Sequence, residues 1–515
     1  MNSLVVGVLA LCLAGSALAQ SPEPQVTVKV TELRLEGATV LAPADVEGLL
    51  APHRGKEMTY SELRGVADAI TELYRSKGYF TCRASLPAQD IKDGVVVLRA
   101  VESKLGQVKV EGNEEYSSEF IRWYMEPALE RELPLEPELQ RQLLLLNELS
   151  GLKASTILEA GQTPGTVDMV VNVKDETPIF FSLDYNNLGS RFTGFDRPGL
   201  SLDIGNRFGI GERFLLRGVR SIADPGVTLG TFSFQTPINN EGTRVGAFYS
   251  NASYQVGREL QLLDIRGDAN VFGLTVSHAL ERSTDASMDV SGGFLYQDIN
   301  NSLLGFPLSR DRLRALYAGI SGDWAHNEGR TFAAFRTTQD LGQALGGMAP
   351  DDPLSSRAAG GGYNVFNLDA IRVQRLGGPA FFIFTAQGQA ATRPLPNAAQ
   401  FALGGLESVR GYRQAAFLGD DGYDLSAEFR VNVLDEQDDT VQVAAFVDHG
   451  HASLQRPFPG ELSKISLTGA GAGLRFNLPE QTYLRFDLGF PIGSNAVTRA
   501  TGRDPVPYVI FGKTF

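Results

Sequence analysis

Arg410 and Asp448 carry the chemistry best suited to a directional polar contact in this sequence. A guanidinium and a carboxylate can meet through two parallel hydrogen bonds, which lysine cannot reproduce. Arg410 lies near Gly404, Gly405 and Gly411, in a stretch able to turn tightly. Alternation along Val441 to Val447 puts Phe446 and Asp448 on one face of a strand. Taken alone, these residues read as a solvated loop arginine and an unrelated aspartate. His449 and His451 suggest a metal, but they alternate away from Asp448, and no third ligand converges on them. Gly469-x-Gly471-x-Gly473 imitates a nucleotide-binding fingerprint, yet its period is two and Leu474-Arg475-Phe476-Asn477-Leu478 continues as strand. These glycines fit close packing, or a face that must leave space. No serine elbow and no Ser-His-Asp or Cys-His order is present. No enzyme, cofactor or metal site is therefore expected.

A long β region must position these residues. From Pro178 onward the sequence alternates apolar and polar residues without a helical pattern. Leu425, Ala427, Phe429, Val431 and Val433 share one face, and Asp424, Ser426, Glu428, Arg430 and Asn432 the other. Leu484, Phe486, Leu488 and Phe490 alternate with Tyr483, Arg485, Asp487 and Gly489. Such runs of about 9–12 residues, apolar on one side and charged on the other, suit tilted strands crossing a bilayer. About sixteen follow Pro178, an even number, as a closed bacterial barrel requires. Closure is also how a sheet satisfies its edges in lipid. A barrel of that size can hold an aqueous lumen, toward which Asp448 would point. The last strand, Val509 to Phe515, sends Val509, Phe511 and Phe515 outward, while Lys513 can snorkel to the interface. The chain has 515 residues, 43% of them hydrophobic, but no apolar run after residue 20 reaches the length of a membrane helix. Its net charge of −14 argues against nucleic acid as a partner.

Residues 1–19 read as a signal peptide, with an apolar core from Leu4 to Leu13 and Ala17-Leu18-Ala19 before the expected cleavage. Removal would leave Cys82 as the lone cysteine, so the exported protein is expected to hold together without a disulfide. Two similar segments follow. In the first, Val30, Leu33 and Leu35 lead to Gly37, and a short helix starts at Pro43. A second helix opens on the capping box Thr59-x-x-Glu62, with Leu63, Val66, Ala67, Ile70, Leu73 and Tyr74 as its apolar stripe. Tyr79 to Cys82 and Val95 to Val101 read as strands, the latter after a turn at Asp93-Gly94. In the second segment, strand-like Val108 to Val110 and Gly112 precede helices at Ser118–Met125 and Pro137–Leu149, then a strand pair turning at Pro164-Gly165. The repeated order β-α-α-β-β defines two α/β modules, at 26–103 and 104–176, before a barrel at 177–515.

Several motifs then resemble the hemolysin secretion/activation family, the outer-membrane transporters of two-partner secretion. Gly78-Tyr79 and Leu86-Pro87-Ala88-Gln89-Asp90-Ile91-Lys92-Asp93-Gly94 resemble the first POTRA domain of that family. So do Leu146-Asn147-Glu148-Leu149-Ser150-Gly151, Pro164-Gly165-Thr166 and Asp184 to Arg191 in their own places. Leu403 to Tyr412 is similar to the family's inward-folded loop, near 395–420, with the tip Val409-Arg410-Gly411-Tyr412. Phe446-Val447-Asp448-His449-Gly450 resembles the strand motif that receives it. The resemblance implies two periplasmic POTRA domains, a large secreted exoprotein as cargo, lipid around the barrel, a monomer, and a loop locked through Arg410 and Asp448. It also implies that Phe515 serves as a signal for the barrel-assembly machinery. Many members begin with a helix that plugs the barrel; only Gln20 to Gln25 would remain for one here, so none is expected. A barrel-protein insertase shares the architecture and is the alternative. A diffusion porin would need no periplasmic receptor.

Overall fold

The computed structural model describes residues 27–515 except 224, 437 and 438. The expected signal peptide and the short segment after it lie outside the described residues. The chain divides into two units, one reaching to Leu105 with Gln162–Val167, the other formed by Gly106–Gly161 and Asp168–Phe515.

In the first unit, strand Glu32–Glu36 runs parallel to Val95–Glu102, which pairs on its other side, antiparallel, with Cys82–Ser85. Helices Pro43–Leu50 and Tyr60–Ser76 accompany this sheet. The capping box is complete: the Glu62 amide donates to the Thr59 hydroxyl, and the Thr59 amide to the Glu62 carboxylate at 2.7 Å. Leu63, Val66, Ala67, Ile70 and Tyr74 are buried. The strand expected from Tyr79 starts only at Cys82, because backbone turns hold the intervening residues: Tyr79 donates to the Tyr74 carbonyl and Cys82 to that of Tyr79. Cys82 is a buried free thiol.

The second module repeats the order with strand Lys104–Glu111, helices Ser118–Leu129 and Glu136–Asn147, and strands Leu152–Ala160 and Thr166–Asp175. Gly37 and Gly112 explain the repeat physically. Both have positive φ, +82° and +83°, and a side chain at either would strike a carbonyl, of Ala100 or Val173, at 2.7 and 2.5 Å. Only glycine fits such a turn. The first helix runs past its expected end at Met125, through Pro127 to Leu129. Proline cannot donate to the Trp123 carbonyl one turn back. The Asn240 side chain of a barrel turn donates to that carbonyl at 2.7 Å instead. Further bonds fasten this module to the barrel: Arg141 donates to the carbonyls of Glu241 and Ala279, and Glu148 receives both Arg244 and Arg282.

Sixteen strands close the barrel, from Ile179–Asn186 to Val506–Thr514. All neighbours are antiparallel, and the closing register runs from Asn186–Ile510 to Ser182–Thr514. Phe515 extends that seam by exchanging backbone hydrogen bonds with Phe181. The outward residues are apolar and exposed, for example Leu216, Phe232, Leu274, Ile320, Leu368 and Leu425, at 39–56%. An apolar exterior around a charged interior is the inverse of a soluble protein and the expected arrangement of a barrel in lipid. Some strands exceed the expected length, and Phe306–His326 reaches 21 residues. Arg310 and Arg312 lie in the turn-proximal third of this strand, where charge would be costly in hydrocarbon, so this hairpin continues past the bilayer. No described helix is long and apolar enough to cross a membrane.

Candidate functional site

A hairpin built of Phe401–Leu403 and Phe417–Gly419 carries the segment between them into the lumen. Its turns fall at Gly404, Gly405 and Gly411, with φ of +98°, +113° and +101°. At the tip, Arg410 is 3% exposed and Asp448 fully buried. Asp448 Oδ2 accepts from Arg410 Nε at 2.7 Å and from its backbone amide at 3.0 Å, while Oδ1 accepts from Nη2 at 2.8 Å. Arg410 Nη1 bonds Glu428, Nη2 donates to Ser426 at 3.1 Å, and the guanidinium lies 3.4 Å from the centre of the Phe446 ring. The backbone, the fork and the flat face of this arginine are thus all engaged.

The neighbouring strands extend the network. Arg475 reaches Glu428 at 3.0 Å and Asp487 at 2.6 Å. Arg430 contacts Glu428, and Arg485 contacts Asp487. Desolvated charges are costly unless each is matched, and here three buried carboxylates face four arginines.

The loop backbone fits because the wall beneath it lacks side chains. A Cβ at Gly469 would overlap the Arg410 carbonyl oxygen, and one at Gly489 the Gly411 amide. A Cβ on Gly411 itself would lie 2.7 Å from the Phe490 carbonyl carbon. Gly471 leaves room for the Phe446 ring, and Gly450 for Leu403. The period-two glycines therefore form the floor under the tip. Val409 is buried with Leu403, Tyr412 and Leu467. The Gly411 amide donates to Tyr508 Oη at 3.0 Å, Tyr508 donates to the Tyr412 carbonyl, and Tyr412 to that of Thr468.

The structure thus gathers Val409, Arg410, Gly411, Tyr412, Phe446, Asp448 and Gly450 at one place, and puts Phe515 elsewhere, at the barrel seam. The sequence places Ser426, Glu428 and Asp487 on polar faces and Arg475 in a strand but does not couple them to Arg410, and it gives no sign of Tyr508. The recurrence of charge on the inward faces was the available signal. His449 and His451 lie beside Thr468 and Ser466, at 2.8 and 2.9 Å. No cluster suited to a metal occurs among the described residues.

A closed barrel with an apolar exterior, filled by its own loop and preceded by two α/β modules, defines an outer-membrane protein of the POTRA-plus-barrel class. The chain belongs to the haemolysin secretion/activation protein family ShlB/FhaC/HecB, whose model matches residues 165–476, and a ShlB-type POTRA model matches residues 28–103. It is similar to the heme/hemopexin transporter protein HuxB of Haemophilus influenzae, 23% identical over 460 residues, covering 87% of this chain and 80% of that one. The outer membrane transporter CdiB of Escherichia coli is 24% identical over 457 residues, covering 86% and 76%. The solved structure of CdiB from Escherichia coli shares the fold, with a TM-score of 0.78 at 22% identity, covering 98% of this chain and 93% of that one. The protein is a two-partner secretion transporter of the outer membrane rather than an enzyme, with its POTRA domains in the periplasm and a secreted exoprotein as partner.

Proposed function

We propose that the periplasmic modules, 26–103 and 104–176, bind the exoprotein unfolded and that the barrel, 177–515, passes it to the cell surface once the loop around Arg410 withdraws. The outer strand Leu152–Ala160 of the second module carries this reading. It lies at the edge of its sheet, and Ile157 and Leu158 are exposed at 53% and 38%. An extended chain can add to such an edge through backbone hydrogen bonds, with little demand on its sequence. The Asn147 side chain bonds the edge at Ala154, but an apolar edge left exposed, as at Ile157 and Leu158, is otherwise a liability that proteins suppress. The loop supports the same reading, since non-covalent ion pairs and hydrogen bonds hold it in the pore. Lipid surrounds the barrel, and one chain suffices to form the closed pore.

The test is Ile157→Asp in the full-length transporter. The barrel should still insert and show its heat-dependent gel shift, while the exoprotein disappears from the medium and accumulates in the periplasm. Undiminished secretion would remove the edge as receptor. A general fall in other barrel proteins on depletion would instead favour an insertase.

A further inference from the structure

The network around Arg410 leaves one buried group unused. Asp424 faces the lumen from strand Asp421–Glu436 and is 1% exposed, yet its Oδ2 has no hydrogen-bond partner. The Ser408 hydroxyl of the same loop offsets part of the cost of burying this carboxyl, but a buried oxygen left without a donor calls for an explanation.

Its position supplies one. Three levels follow one another along the lumen wall: Asp424 opposite Gly450, Ser426 opposite Asp448, and Glu428 opposite Phe446. Arg410 occupies the last two, touching Ser426, Asp448, Glu428 and Phe446. The stem of its loop lies at the Asp424 level and beyond it, with Leu403 against Gly450 and Phe401 against Gly422. The loop therefore enters from the Asp421 end, and Asp424 stands on its way out. Gly450 leaves this level to the Leu403 side chain of the same loop, so the space beside Asp424 is vacated as the loop moves outward.

We propose that Asp424 is a second station for Arg410, reached when the loop moves one two-residue step, roughly 7 Å, toward the mouth. In that step the guanidinium gives up Glu428 and the Phe446 ring, keeps Ser426 and Asp448 and gains Asp424. It is then never left unpaired in a poorly solvated lumen, and the barrier to release falls. Asp424 acts as a positioning residue for loop movement. The inference rests on the reading of the loop as a removable stopper.

Purified full-length Asp424→Asn in planar bilayers should open about tenfold less often, the effect of losing one hydrogen bond to a charged group. Its loop should be as protected from protease as the wild type, because the resting contacts remain. In cells, secretion should fall. The double variant with Arg410→Ala should behave as Arg410→Ala alone, since the two substitutions remove one interaction. Wild-type opening and secretion by Asp424→Asn, or additive effects in the double variant, would overturn the station. Should Asp424→Asn fail to insert, Asp424→Glu and Asp424→Ser decide: opening is kept in the first and lost in the second, and equal opening rejects the idea. Normal secretion by Arg410→Ala would instead reject the stopper itself.

Discussion

Arg410 is an arginine for geometric reasons. Its fork bonds Asp448 on one side and Glu428 on the other while its flat face covers the Phe446 ring, and a lysine ammonium could not hold all three at once. Breaking one side of a buried ion pair leaves an uncompensated charge and costs about 3–5 kcal/mol. Arg410→Lys and Arg410→Ala should therefore both weaken the closed state by an amount of this order. Intact cells would show it as loop cleavage by added protease and as sensitivity to large antibiotics; a tight pore in Arg410→Lys would refute the argument. The sequence displayed this arginine and its aspartate through their local motifs. It could not display the partnership with Glu428 and Asp487, because those residues are near neighbours of the tip only after three strands align in register.

At the scale of elements, the modules were legible where local rules dominate. The capping box, the apolar stripe and the paired glycines each encode structure within a few residues. The helix through Pro127 was not legible, since the group that satisfies the carbonyl freed by proline is Asn240, far along the chain. A single carboxylate shows how an element is tied down. Glu102 accepts from the Thr39 and Val40 amides at 2.7 and 3.2 Å, from Tyr74 Oη at 2.8 Å and from the Thr39 hydroxyl. Burial alone would raise its pKa, but these bonds outweigh it and hold the group below the ordinary glutamate value. A lowered folded-state pKa stabilises the fold above the unfolded value, about 4.3, and the gain is lost as pH falls below that. Protection of the Thr39 and Val40 amides against exchange, relative to the intrinsic rate at each pH, should thus fall on acidification below about pH 4, while Glu102→Gln flattens this response. Protection relative to the intrinsic rate that stays constant down to pH 3 would count against the account.

At the scale of the whole molecule, period-two alternation made the barrel and its strand number readable, because each strand must separate lipid from water. Strand lengths were less readable: the pattern says where lipid begins, not how far a hairpin rises beyond it. We infer that Phe515 serves assembly, and its backbone pairing with Phe181 gives it a part in closure as well. Deleting Phe515 should lower the folded, heat-shifting form in the outer membrane and leave unfolded chain in the periplasm; unchanged yield would reject both roles. The hairpin inside the pore has one more consequence. Because both ends of the stopper are joined to the wall, its return after each passage is a unimolecular event. A tether of a few residues keeps the effective concentration of a partner in the millimolar range. Resealing then depends on neither the abundance of the transporter nor on any diffusing component, so a single copy guards its own leak.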